Sequence, residues 1–356
     1  MHLRIDSVPR DMNKRFFTAV ALLLAALVCA RAQVAVPANC FMVRPGAKLE
    51  FDARLQGCSR DTVKGVPADA GVFWESAGAD NKVKPGDIVA SVSFSKETGI
   101  ISLTAGSAGN AMVAVEDENG NILWSWHIWV TDYDPGKGCY QQDAKGNVIM
   151  MDRNLGALSA EPGNPLALGL FYQWGRKDPF PGPLSVDGKK EAHTTLRWPK
   201  PVASDSYTGT VEYTRYNPTV FLLWDDANCD WLYTGAPVAD NTRWASEKTK
   251  YDPCPAGWKV PSSGNVLGAD PKWDAACRGM ISTDRADASH KIWTPAAGFR
   301  SGIDGTYGGV GQYGYYWASK PVNCLARSQL FDWEGNINGG FGAYRGTARS
   351  VRCVKE

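Results

Sequence analysis

Acid–base or metal chemistry needs histidines, carboxylates or thiols at workable spacings. Past the first 32 residues the histidines are His127, His193 and His290, and no HxxH, HExxH or GxSxG pattern occurs. His127 stands in Trp124-Ser-Trp-His-Ile-Trp-Val, where a lone imidazole among indoles reads as a packed or hydrogen-bonded group, so no chemistry is assigned to it. Gly309-Val-Gly-Gln-Tyr-Gly314 matches the dinucleotide fingerprint GxGxxG, but that motif works only where a helix follows it and meets the pyrophosphate. Here a Tyr/Trp-rich strand follows, and nucleotide binding is set aside. Glu116-Asp-Glu-Asn-Gly-Asn121 lacks the ligand set of a calcium loop, and Asn119-Gly120 between two apolar runs reads as a hairpin turn.

The nine cysteines are the remaining reactive set, and their reading depends on compartment. Lys14 and Arg15 precede a run from Phe16 to Ala30 that is apolar except for Thr18, and Ala30-Arg31-Ala32 offers small residues at the two positions a signal peptidase reads. Residues 1–32 therefore read as a signal peptide cleaved before Gln33. The run is shorter than the roughly 20 residues that cross a bilayer as a helix, so the mature chain is expected to have no transmembrane span. Lipidation of Cys29 is the weaker reading, because Ala26-Leu27-Val28 lacks the small residue expected beside a lipidated cysteine. Cleavage leaves Cys40, Cys58, Cys139, Cys229, Cys254, Cys277, Cys324 and Cys353. An even number without CxxC spacing, in an exported chain, reads as disulfides rather than metal ligands. Cys40 with Cys58 is the local pairing expected.

The elements that must position these residues are mostly strands. With 44% hydrophobic and 21% charged residues and a formal charge of +1, falling to −2 without the leader, the chain is neither disordered nor a nucleic-acid binder by composition. The 14 Trp and 13 Tyr beside 37 Gly and 21 Pro favour short strands and structured loops over helices. Residues 33–132 carry seven strand-like runs: Cys40-Phe-Met-Val, Leu49-Glu-Phe, Gly71-Val-Phe-Trp, Ile88 to Val92, Ile100-Ile-Ser-Leu, Ala111 to Val115 and Ile122 to Val130. Seven strands in about 100 residues predict an Ig-like β-sandwich. Alternation in the last run puts Trp124, Trp126, Ile128 and Val130 on one face, the core, and Ser125, His127 and Trp129 on the other. Residues 133–138 are turn-rich and read as a linker. From Cys139 a hairpin around Lys145-Gly-Asn147 opens a second domain, 139–356, with irregular loops over 159–250 and the best helix signal at Pro271 to Arg278.

Tyr251-Asp-Pro-Cys-Pro-Ala-Gly-Trp-Lys-Val-Pro-Ser262 resembles the CPxGWxxPs element of the Fibrobacter succinogenes major paralogous domain. Met151 to Ala157, Leu170 to Trp174, Tyr315 to Ser319 and Arg349 to Val354 are similar to further segments of that family, in the same order. The resemblance implies a C-type-lectin-like fold in a secreted or surface protein. The segment before it looks like the front part of fimbrillin-type surface proteins of Gram-negative bacteria. Mainly β with α+β is therefore the expected fold class, an Ig-like sandwich followed by a lectin-like domain. In such a domain the chain enters and leaves side by side, which implies a Cys254–Cys353 bridge.

The same resemblance implies a non-enzymatic adhesin or fimbrial tip component, exported to the cell surface, outer membrane or exterior, that binds a glycan or a host or bacterial surface protein and joins pilin subunits. The alternative is a free-standing glycan-binding protein of a polysaccharide uptake system. An oxidase like the formylglycine-generating enzymes, which share a lectin-related fold, would need two nearby reactive cysteines. Binding hardware would be aromatic rings and amides on loops, and Tyr307, Tyr313, Trp333, Asn336, Asn338 and Tyr344 are the candidates. Ser301 to Gly314 reads as an exposed loop, and Phe331 to Asn338 as a hairpin with a polar and aromatic tip. Trp224-Asp-Asp-Ala-Asn-Cys229 is similar to the WND signature of calcium-dependent lectins, which makes Asp225 and Asp226 the weak candidates for calcium. Asp226 stands where that signature has Asn, and the segment precedes Cys254, so a solvated loop anchored by Trp224 is preferred and no cofactor is expected.

Overall fold

The alternating runs pair into sheets. The computed structural model describes residues 34–225, 227–235 and 239–356, so the expected leader 1–32 lies outside the described residues. Strand accounts for 37% and helix for 3%, which makes the fold mainly β. The front strands are β1 (Cys40–Val43), β2 (Lys48–Asp52), β3 (Asp69–Ser76), β4 (Val89–Ser95), β5 (Ile100–Ala105), β6 (Gly109–Glu116) and β7 (Ile122–Val130). All seven fall on the runs read from sequence. They form two sheets, ordered β1-β7-β6-β3 and β2-β5-β4. Phe41 and Phe51 stack at 4.4 Å between ring centroids, and Phe51 meets Trp126 edge-on at 5.0 Å, so rings of one sheet close on rings of the other. Val113, Val115, Trp124, Ile128, Ile101 and Leu103 complete this core. Each such side chain contributes about 1.5–3 kcal/mol by leaving water.

The second face of β7 was expected to lie outside the core, and it does not: every residue of the strand is buried. Trp129 packs with Met151, Leu155, Tyr172, Trp174 and Trp317, all from later in the chain. Ser125 Oγ donates to Asp178 Oδ1 at 2.6 Å, and Lys177 Nζ donates to the Ser125 carbonyl at 2.9 Å. A strand with indoles on both faces is covered on both faces. In the turn-rich segment 133–138 Tyr133 packs under the Arg153 guanidinium, 3.8 Å from its ring, while Asp134, Gly136 and Lys137 are exposed.

His127 is 2% exposed, and its Nε2 hydrogen-bonds Asn110 Oδ1 at 2.9 Å, while Asn110 Nδ2 donates to the Gly156 carbonyl. Burial pushes its pKa down to about 3. The unfolded chain takes up that proton near pH 6.5 and the native one does not. The stability held by neutral His127 is therefore intact above pH 6.5 and is lost, by about 1.4 kcal/mol per pH unit, as pH falls toward 3. The difference in unfolding free energy between wild type and His127→Gln, from urea titrations, should shift against wild type between pH 6.5 and pH 4 with that slope; a constant difference would contradict it.

The later strands are β8 (Cys139–Gln141), β9 (Ile149–Met151), β10 (Phe171–Gln173), β11 (Trp258–Lys259), β12 (Ala269–Asp274), β13 (Gly279–Thr283) and β14 (Lys291–Pro295). They continue with β15 (Phe299–Arg300), β16 (Tyr307–Gly308), β17 (Tyr313–Val322), β18 (Leu325–Asp332), β19 (Ile337–Ala343), β20 (Ala348–Ser350) and β21 (Val354–Lys355). The largest sheet runs β16-β15-β20-β17-β18-β19, with β10 also on β20. In a second sheet, β11-β21-β9-β8, the start and the end of this region lie side by side. That adjacency brings Cys254 to Cys353, whose Cα atoms are 6.1 Å apart across a disulfide. The local pair expected at Cys40 and Cys58 is not formed. Cys40 is buried on β1 opposite His127, and Cys58 Sγ faces the Thr249 carbonyl at 3.2 Å. Cys139, Cys277 and Cys324 are also free thiols, so full pairing of the eight cysteines is not met.

The helix expected over Pro271 to Arg278 is instead a hairpin of β12 and β13. Asp274 Oδ1 accepts from the Ala276 and Cys277 amides and closes the turn, and Arg278 takes a left-handed φ of 54° that no helix continues through. An α-helix, α1 (Val211–Tyr216), lies where loops were expected, capped by Thr210 Oγ1 accepting from the Tyr213 amide. Around it the loops are pinned by indoles that donate to carbonyls, Trp174 to Ala318, Trp231 to Trp174 and Trp244 to Tyr251.

Candidate functional site

β17 reads Tyr313-Gly-Tyr-Tyr-Trp, and its pleat sends Tyr313, Tyr315 and Trp317 to one face and Gly314 and Tyr316 to the other. Tyr316 is core, its hydroxyl on the Pro295 carbonyl at 2.8 Å. Gly314 is required there, because a Cβ would stand 2.0 Å from the Phe331 ring. Register then assembles the opposite face: Tyr313 lies beside Asp332, Tyr315 beside Leu330, which pairs in turn with Asn338, and Trp317 beside Ser328, which pairs in turn with Phe341.

The result is a strip of rings that emerges from the core. Trp317 is fully buried, Tyr315, Tyr313, Phe299 and Phe341 are half-buried, and Trp333 at the hairpin tip is 45% exposed. Trp333 meets Tyr313 edge-on at 4.9 Å, Tyr313 stacks with Tyr315 at 5.8 Å, and Tyr315 meets Phe299 edge-on at 5.5 Å. Beneath them Arg349 of β20 holds its guanidinium 4.6 Å from the Tyr315 ring and 4.8 Å from Trp317, and it donates to Ser328 Oγ at 3.1 Å. Burial pushes the Arg349 pKa down to about 10. This cation holds the inner side of Tyr315 by cation–π attraction and leaves that half-buried ring open in part to solvent.

The rim is polar. Asp332 accepts from the Glu334 and Asn336 amides and from Asn336 Nδ2, each at 3.0 Å. Burial pulls the Asp332 pKa upward, but these bonds outweigh it and hold the carboxyl below its ordinary range. Asn336 thus builds the tip. Asn338 accepts from the Gly340 amide through Oδ1 at 3.0 Å and stands, exposed, opposite Leu330 in the register.

Of the sequence candidates, Tyr313, Trp333, Asn336 and Asn338 come together here. Tyr307 does not. The loop Ser301 to Gly314 folds back through β15 and β16, and the buried Tyr307 hydroxyl donates to the Pro181 carbonyl at 2.7 Å while the ring stacks on Phe171. Tyr307 is a core residue. Tyr344 is exposed but lies past the far end of β19, edge-on to Trp224 at 4.9 Å. Tyr315, Phe299, Phe341, Leu330 and Arg349 were missed; the period-two aromatics of β17 were the signal for Tyr315.

At the weak calcium candidates, Asp225 accepts from the Ala227 amide at 3.2 Å within its own turn, and Asp226 lies outside the described residues. No group of three or more His, Cys, Asp or Glu residues suited to a metal occurs among the described residues. The GxGxxG run is the turn between β16 and β17, with Gly309 and Gly311 at φ of 66° and 74°, and a strand follows it. A separate cavity of about 290 Å³ is lined by Trp124, Arg176, Lys177, Asp178 and Arg215. Its buried cations are spent within the protein, Lys177 on Asp178 and Ser125, Arg176 on the Val220 and Pro218 carbonyls, and Arg215 on the Leu123 carbonyl. No helix among the described residues is long and apolar enough to cross a membrane. Compared with family models, curated proteins and solved structures, the chain finds no match in any of the three.

Proposed function

We propose that this chain is an exported surface protein that binds a glycan on the Tyr313–Tyr315–Trp333 strip, in the role of an adhesin or fimbrial tip subunit. The observation that carries the reading is the strip itself, partly exposed rings packed in series, with Tyr315 backed by Arg349, and edged by Asp332 and Asn338. Pyranose rings offer apolar faces to aromatic rings and hydroxyls to amides and carboxylates, and the strip supplies both along one strand. The resemblance to the Fibrobacter succinogenes major paralogous domain, the leader-like residues 1–32 and the Cys254–Cys353 bridge support export and a lectin-like role. In this reading the front sheets, of Ig-like type, seat the protein among pilin subunits by strand addition. An oxidase would need an activated thiol, whereas burial pushes the thiols of Cys40, Cys58 and Cys139 up and that of Cys277 to about 11.

The test is a glycan array probed with the full chain, with and without EDTA. Saturable binding that EDTA leaves intact is expected, because the aromatic rings and amides of the strip contact a sugar without a bridging cation. The absence of binding to every glycan would overturn the reading, and abolition by EDTA would move the site to Asp225.

A further inference from the structure

A second feature lies on the other face of β18. There Ser328, Leu330 and Asp332 side with the strip, whereas Gln329 points away from it and accepts from the Val266 amide at 2.7 Å. Arg327 shares the Gln329 face by alternation. It lines an open cleft of about 630 Å³ together with Ser246, Ser262, Ser263, Ser319 and Lys320.

Arg327 differs from the other arginines. Among the described residues, every buried or half-buried arginine has a carboxylate, carbonyl, amide or hydroxyl partner except this one; its Nε is buried without an acceptor, as are those of Arg176, Arg243, Arg349 and Arg352. Ser319 is fully buried, and its Oγ also has no partner. A β-bulge between Trp317 and Pro321 takes Ser319 and Lys320 out of the ladder, and the Ser319 amide donates instead to the Pro261 carbonyl at 2.8 Å. Bulges of this kind re-aim side chains beside sites. Among the described residues, Lys320 is exposed and makes no ion pair, and no carboxylate lines the cleft. Two unneutralised cations, several hydroxyls and unspent polar groups in one wall call for a ligand that brings acceptors.

We propose that this cleft binds a sulfate or phosphate ester of monosaccharide size or larger. Three terminal ester oxygens match a guanidinium, an ammonium and serine hydroxyls, as charge-assisted hydrogen bonds require. The volume exceeds what a bare ion fills and leaves room for the molecule that carries it. The site lies on the face opposite the aromatic strip and does not depend on it.

Calorimetric titration of the full chain with N-acetylglucosamine 6-sulfate, the 6-phosphate and the parent sugar tests this. One or both esters should bind, at least about tenfold more tightly than the parent sugar, and the stronger ester identifies the source. Arg327→Gln and Lys320→Gln should each weaken the ester about tenfold or more and leave the thermal midpoint unchanged, because neither side chain holds a protein partner. Trp333→Ala should leave ester binding intact. Equal binding of ester and parent sugar, no ester binding at millimolar concentration, or unchanged ester affinity in Arg327→Gln with a native thermal midpoint would overturn the proposal.

Discussion

Asp230→Asn is expected to destabilise the protein by about 3–5 kcal/mol, the usual cost of removing one partner from a buried ion pair. The carboxylate is 1% exposed and faces two buried guanidiniums. Arg243 donates to both of its oxygens, at 3.1 Å to Oδ1, and Arg345 lies 3.7 Å away. Both cations rest on the Trp174 ring, Arg345 at 4.3 Å and Arg243 at 5.1 Å. Asn keeps the shape and removes the charge, so two guanidiniums would face each other out of water with no counter-charge between them. This knot joins the loops around Trp231 and Trp244 to the end of β19, which is why the effect should spread through the region. Denaturant unfolding checks it. Asp225→Asn, half-buried in the same loop, should cost under about 1 kcal/mol. A loss of that size for Asp230→Asn as well would contradict the charge argument.

Removing the Cys254–Cys353 bridge should cost about 3–5 kcal/mol. The bridged cysteines are 99 residues apart, and the loop-entropy account gives about 4.7 kcal/mol for a loop of roughly that length. The bridge also sits at the β9, β21 and β11 junction, where the Met151 amide donates to the Cys353 carbonyl at 3.0 Å. The paired variant Cys254→Ala/Cys353→Ala should unfold at a lower denaturant midpoint by that amount. Thiol titration of the unfolded wild type should find at least five thiols, those of Cys40, Cys58, Cys139, Cys277 and Cys324. Fewer than five would contradict the free state of these five cysteines, and a variant as stable as wild type would contradict the structural role of the bridge.

Legibility in the sequence followed the range of the forces involved. The seven front strands were readable because alternation and turn residues act over a few positions, and β7 announced itself by five consecutive alternating apolar sites. What covers the second face of β7 comes from Met151, Lys177 and Trp317, and no local pattern reports so distant a partner. At Pro271 to Arg278 a proline start and Ala275-Ala276 favoured helix locally, but β13 and β14 supply a sheet edge that rewards the extended form more. Tyr307 and Tyr313 have the same composition-level signal, and only the fold-back of the Gly-rich loop buries the first and leaves the second half-exposed. Arg327 gave no signal at all, because the absence of a partner is a property of the folded surroundings.

Glycan binding on the strip is measured directly by the affinity of strip variants for the best glycan found on the array. Trp333→Ala should weaken that glycan about tenfold, near 1.4 kcal/mol, and Tyr313→Ala/Trp333→Ala should abolish measurable binding. Tyr344→Ala, at the far end of β19, should bind as wild type does. Wild-type affinity in the double variant, with its fold intact, would place the glycan elsewhere and contradict the central claim.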